Sequence, residues 1–122
     1  MWVPMAEDVV NANVRVCAAS GGLMGISRAG RTLLAEILSE AASRSSVEES
    51  AAVLLRRIAQ DQPFVDGNKR TALAVAEGVL LKSGHDLVAQ EDEIKSFLPR
   101  LKDGEFGHEG ALKWIRDHVR RG

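Results

Sequence analysis

Residues 72–80, ALAVAEGVL, constrain this chain more than any other stretch. On a helix, Ala72, Leu73, Val75, Ala76, Val79 and Leu80 leave almost no polar face, so the segment must be covered by other elements. It is predicted to run from near Asn68 to about Ser83, closed by Gly84, as the buried central helix of the fold. A chain of 122 residues suits one domain, taken as 1–122. A domain of this size buries roughly two-thirds of its unfolded surface and can hold a core without staples.

The remaining apolar residues recur at helical spacing, in segments divided by short punctuated loops. Pro4 stands near the first turn of a helix reaching about Ser20, with Val9, Val10, Asn13, Val16 and Cys17 along one stripe. The paired glycines of SGGLMG end it. Ser27 caps a second helix, whose stripe is Leu33, Leu34, Ile37, Leu38 and Ala41. After the SRSS loop, Ser46 and Glu49 form a capping box for a third, with Ala51, Leu54, Leu55, Ile58 and Ala59 inward. It stops before Pro63, because the residue preceding a proline avoids the helical region. A fifth helix spans roughly Glu91 to Leu101, bent or ended near Pro99. KDGEFG is a turn, and a sixth helix runs from about His108 to Arg120 with Leu112, Ile115 and Val119 inward. HDLVA has extended character but is too short to promise a sheet. The fold class is therefore all-α.

A formal net charge of −1 argues against nucleic acid as the main partner. The basic tail RDHVRRG reads as cations favoured in the last turn of a helix. With one cysteine, Cys17, no intrachain disulfide is possible, and Cys17 reads as a small core residue. No secretory signal is visible, and no apolar stretch nears the ~18 residues that span a bilayer. The expectation is a cytoplasmic protein with no membrane partner. Three scattered histidines and one cysteine offer no zinc spacing. Trp2 and Trp114 read as hydrophobic anchors.

Directly before the central helix stands QPFVDGNKR, residues 62–70. A helix N-terminus presents backbone N–H groups without internal partners and carries a partial positive charge, so it stabilises an anion. Gly67 would let that anion approach the backbone closely. Lys69 adds a point charge and Arg70 a planar fork, both suited to phosphate oxygens. Asp66 offers a hard oxygen for a divalent cation, and Asn68 can cap the helix or bond a phosphate. These parts suit a nucleotide polyphosphate. The same residues are also ordinary turn and cap residues beside a solvated helix face, with Phe64 anchoring the loop to the core.

The segment QPFVDGNKRTAL resembles the signature of the Fic/Doc family, His-x-Phe-x-Asp/Glu-Gly/Ala-Asn-Gly/Lys-Arg. Phe64, Asp66, Gly67, Asn68 and Arg70 match, and Lys69 matches the variant of the death-on-curing (Doc) branch. GGLMGISRAGR, LLKSGHDL and LKDGEFGHEGALKWI resemble further parts of Doc-type chains, so the resemblance covers nearly the whole sequence. It implies a compact six-helix bundle with the motif loop between two central helices. It also implies transfer of phosphate or AMP from ATP, with Mg2+, to a protein hydroxyl. Doc-like members are toxins of toxin–antitoxin modules, which phosphorylate a translation elongation factor and are blocked by an antitoxin protein. Carried over, Asp66 is the magnesium ligand, and Gly67, Asn68, Lys69 and Arg70 hold phosphates.

Gln62 stands where the family has its catalytic histidine. An amide cannot take a proton near neutrality, though its oxygen can orient a nucleophile. A positioned base is worth about 10²–10⁴ in rate, so transfer should be attenuated by that factor while phosphate binding persists. Asp61 is adjacent, but one residue's displacement on a helix turns it away. His85 and His108 read as loop residues and His118 as a helix-end cation. Gln62 is compatible with slow transfer in a natural variant, with an inactive module that binds a nucleotide or a partner, or with an engineered change.

Overall fold

The apolar stretch at 72–80 forms the middle of a helix whose inner face is closed to water. In the computed structural model, which describes residues 2–121, six helices follow one another: α1 (Ala6–Ser20), α2 (Arg28–Ser43), α3 (Val47–Asp61), α4 (Asn68–Lys82), α5 (Glu91–Lys102) and α6 (His108–His118). Two short strands, β1 (His85–Leu87) and β2 (Val119–Arg121), pair antiparallel with Leu87 opposite Val119.

The caps explain the helix starts. Ser27 Oγ accepts the N–H of Gly30 at 2.9 Å, and Ser46 Oγ accepts that of Glu49 at 3.1 Å. Asp8 reaches back to accept the N–H of Met5 at 2.8 Å, one half of a capping box. Gly21 ends α1 in the left-handed conformation at φ 76°.

The centre of the bundle is α3 paired with α4. Ala51, Ala52, Ala59, Ala72 and Ala76 are all fully buried, and small side chains at a contact let two helix axes approach closely. Leu54, Leu55, Ile58, Val79 and Leu80 fill the space around them; each such burial is worth roughly 1.5–3 kcal/mol. The remaining helices close around this pair, with α2 and α6 against α3, α1 against α4, and α5 reaching both. The enclosure of α3 is greater than its single apolar stripe implies. Ser50, Ala52 and Val53 are buried as well, and no residue from 47 to 60 is fully exposed. The central role therefore belongs to α3 as much as to α4, which exposes Arg70, Glu77 and Leu81.

Three expectations are refined. First, α5 has the expected span, from Glu91 past Leu101 to Lys102, so Pro99 does not end it, and the Asp103 N–H bonds the Pro99 carbonyl at 3.0 Å. Phe97, Leu98 and Leu101 are buried on both sides of the proline, and that packing outweighs the lost backbone bond. Second, α6 ends at His118 rather than near Arg120, because residues 119–121 pair with β1. Third, the tail arginines Arg120 and Arg121 lie on that strand, leaving Arg116 and His118 as the cations of the last helical turn. Among the described residues, no helix is long and apolar enough to cross a membrane.

Candidate functional site

The loop between α3 and α4 is held from three directions. Its residue Asn68 forms a two-bond clasp, with Oδ1 accepting the Phe64 N–H and Nδ2 donating to the Phe64 carbonyl, both at 3.0 Å. Phe64 is buried, as its anchoring role requires, and pairs in a single antiparallel bridge with Ile26. The Val65 N–H bonds the Gly25 carbonyl at 3.0 Å, so the 21–27 loop lies alongside the motif loop.

From α1, Asn13 spans the junction. Its Nδ2 donates to the Asp66 carbonyl at 2.9 Å and to Thr71 Oγ1 at 3.1 Å, and the side chain is buried. Read from sequence, Asn13 was only one position on a helical stripe. A polar residue among Val9, Val16 and Cys17 was the available signal, since a buried amide must find partners.

Gly67 begins α4 at φ 73°, a left-handed conformation that favours glycine. A Cβ there would meet Cys17 Sγ at 3.1 Å, Val16 Cγ1 at 3.3 Å and Asn13 Nδ2 at 3.4 Å. The absent side chain thus makes room for α1. Packing against α1 is thus a second reason for glycine here, beside the expected close approach of an anion.

One pocket of about 320 Å³ collects Gln62, Asp66, Gly67, Asn68, Lys69 and Arg70, all six of the sequence-predicted site residues. Ser20 and Lys102, which the sequence reading passed over, line it too. Thr71 is the first residue of α4 whose N–H bonds back, to the Gly67 carbonyl at 2.9 Å. The N–H groups of Asn68, Lys69 and Arg70 precede it and lie beyond the reach of intrahelical bonding. Asn68 can serve an anion only through that N–H, because its side chain is committed to the clasp. Neither Lys69 nor Arg70 is paired with a carboxylate among the described residues.

Asp66 accepts the Leu23 N–H at 3.2 Å through Oδ2 and the Gly67 N–H at 2.9 Å through Oδ1, which fixes the carboxylate at the pocket edge. Each oxygen keeps a lone pair for a cation. No group of three ligating side chains occurs among the described residues. A single carboxylate fits magnesium carried mainly by phosphates and water, and does not make a self-sufficient metal cage.

Gln62 closes α3 at φ 53° and ψ 64°, the sole positive φ outside glycine among the described residues. That conformation turns the chain out of α3 and brings the exposed amide to the pocket. The alternative bases lie elsewhere. Asp61 is held by Arg57 Nε at 2.9 Å. His85 Nδ1 contacts the Ser83 carbonyl, and His118 sits between Glu93 Oε2 and the Trp114 carbonyl. His108 is half-buried at the start of α6, its pKa lowered mainly by burial and further by Arg44. No histidine lines the pocket.

A larger groove of about 740 Å³ adjoins the pocket and shares Lys69 and Arg70 with it. Leu73, Ile94 and Leu98 give it an apolar floor between α4 and α5, and α1 contributes Arg15 and Val16.

A search of curated proteins finds no match to this chain. A model of the Fic/DOC family matches residues 12–80, from the middle of α1 nearly to the end of α4. That span carries Asn13, the motif loop and the free helix N-terminus, and it covers more than half of the sequence. The chain therefore belongs to the Fic/DOC family.

Proposed function

We propose that this protein is a Doc-like toxin component of a toxin–antitoxin module. In this reading it transfers a phosphate-containing group, phosphate or AMP, from ATP to a protein hydroxyl, at a rate attenuated by Gln62. The observation that carries the reading is the convergence of Gln62, Asp66, Lys69, Arg70 and the open N-terminus of α4 on one pocket. Phosphate oxygens sit on the N–H groups of Asn68, Lys69 and Arg70, with the two side-chain cations around them. Asp66 would hold magnesium, which neutralises phosphate charge and orients the nucleotide when bound. The substrate hydroxyl oxygen attacks phosphorus, and the bond from phosphorus to the departing phosphate oxygen breaks. ADP leaves if phosphate is transferred, and pyrophosphate if AMP is.

The proton of the attacking hydroxyl goes to water, since Gln62 cannot take it. The Gln62 oxygen can still accept a hydrogen bond from the hydroxyl and aim it. Exposed Leu23, Met24 and Val65 offer apolar contacts beside the pocket for a protein substrate such as a translation elongation factor. The groove along Leu73, Ile94 and Leu98 suits the apolar face of an antitoxin helix.

Labelled ATP and a cell extract, with the protein and its Gln62→His and Arg70→Ala variants, test this reading. Weak labelling is expected, raised about 10²–10⁴-fold by Gln62→His and lost in Arg70→Ala. Absence of labelling by both the parent and Gln62→His would overturn the transfer reading.

A second reading has its own support. With no histidine in the pocket, the same fold serves as a catalytically inactive module that binds a nucleotide or a partner. Calorimetry with ATP and magnesium would then show binding without turnover. Growth arrest on expression that depends on Lys69 and Arg70 would count against this passive role.

A further inference from the structure

Outside the motif, α5 delivers one more cation to the same pocket. Lys102 is the last residue of α5, is exposed, and lines the pocket together with Gln62, Lys69 and Arg70. It lies beyond residues 12–80, the span shared with the family model. A lysine in the last turn of a helix often answers only the helix dipole. The neighbours argue otherwise here. Arg100 occupies the same turn and is engaged with Glu105 at 3.3 Å and with the Phe106 ring, whereas no carboxylate pairs with Lys102 among the described residues.

The end of α5 is also fixed in place. Gln60 of α3 donates through Nε2 to the Leu101 carbonyl at 3.0 Å and to the Phe106 carbonyl at 2.8 Å. Arg56 in turn donates to Gln60 Oε1 at 3.2 Å. Two effects follow. The backbone carrying Lys102 is pinned two residues before Gln62, and carbonyls at the negative end of α5 are occupied by donors instead of facing an anion.

We propose that Lys102 is a specificity-determining residue that selects nucleotides with a polyphosphate chain over monophosphates. The inference rests on the nucleotide-binding reading above. The charge count supports it. Lys69, Arg70 and Lys102 supply three positive charges against the one carboxylate of Asp66 in the pocket. A monophosphate can be satisfied by the helix N-terminus with Lys69 and Arg70. A third cation, held on a different element, gains a partner only if the phosphate chain extends across the pocket.

The test is calorimetric binding of ATP, ADP and AMP, with magnesium, to the full chain. Its Lys102→Met, Lys102→Arg and Arg70→Ala variants are measured in parallel. Lys102→Met should weaken ATP binding by about two- to fivefold, the upper part of the range for one ion pair at an exposed site, and leave AMP unchanged. Lys102→Arg should restore most of the ATP affinity. Unchanged ATP affinity in Lys102→Met overturns the inference, and so does an equal loss for ATP and AMP. Should the parent bind ATP and Arg70→Ala lose it while Lys102→Met binds like the parent, only the role of Lys102 fails. Should the parent bind none of the three nucleotides, the nucleotide-binding reading fails and this inference with it.

Discussion

Gln62 combines two unusual properties at one position. Its amide cannot take a proton near neutrality, and it holds a backbone conformation that non-glycine residues rarely adopt. A left-handed residue other than glycine costs on the order of 1 kcal/mol, and the cost is borne where the loop must leave α3 towards the pocket. Gln62→Gly is therefore expected to raise unfolding stability by about 1 kcal/mol, measured by urea denaturation. Gln62→His shares the backbone cost and should leave stability nearly unchanged while raising the proposed transfer. Equal stability of the glycine variant and the parent would show that this conformation carries no strain.

At the scale of elements, α5 and α6 are joined through His118. Its Nδ1 lies 2.7 Å from the Trp114 carbonyl and its Nε2 lies 2.8 Å from Glu93 Oε2. Both partners are acceptors only, so both contacts are satisfied when the ring carries two protons. Burial disfavours the charged ring, yet the Trp114 carbonyl and the Glu93 carboxylate outweigh it and raise the His118 pKa. A raised histidine contributes its full stability below its unfolded value, near 6.5, and loses it as pH rises through the higher folded value. Glu93 is shifted down, chiefly by the Gln90 N–H and then by His118. Its contribution is present above about 4.5, its unfolded value, and fades as pH falls through the lower folded value. His108 acts in the opposite sense to His118: its pKa is lowered, so its contribution fades as pH falls below the unfolded value near 6.5. A pH scan of Tm on the parent therefore mixes two opposing histidines. Comparison with His118→Gln separates them, since this variant should lose the decline above pH 6.5 and keep the His108 component. A variant whose profile coincides with the parent's would refute the stabilising role of the His118 contacts with Glu93 and Trp114.

For the whole molecule, the site depends on how α3 and α4 are packed. The loop that bears the pocket joins these two helices, and their contact is made by fully buried alanines and leucines. Leu55→Ala at the fully buried centre of α3 is expected to cost 2–5 kcal/mol, roughly the range of large-to-small core changes. Domains of this kind have only about 5–15 kcal/mol in total, so Tm should fall by several degrees or more. The proposed nucleotide binding should fall in step with the folded fraction as temperature rises. Binding retained above the melting transition would show that the loop holds its shape without the core.

That the candidate site residues share one pocket was legible in the sequence because they are contiguous. Gln62 through Arg70 sit on one short loop and one helix start, and local backbone rules already place them together. Helix number and most boundaries followed from the 3.6-residue period and from the caps at Ser27 and Ser46. Tertiary packing decided what those rules do not reach. Burial on both sides of Pro99 carried α5 through a residue that locally favours a break. Pairing of Leu87 with Val119, residues far apart in the chain, ended α6 early. The approach of α1 set the need for Gly67 and gave Asn13 its partners, and the docking of α5 on Gln60 brought Lys102 to the pocket. Local sequence fixes backbone preference and periodicity over a turn or two of helix. Contacts between distant residues depend on how helices are placed against one another, which the shape of the shared core decides.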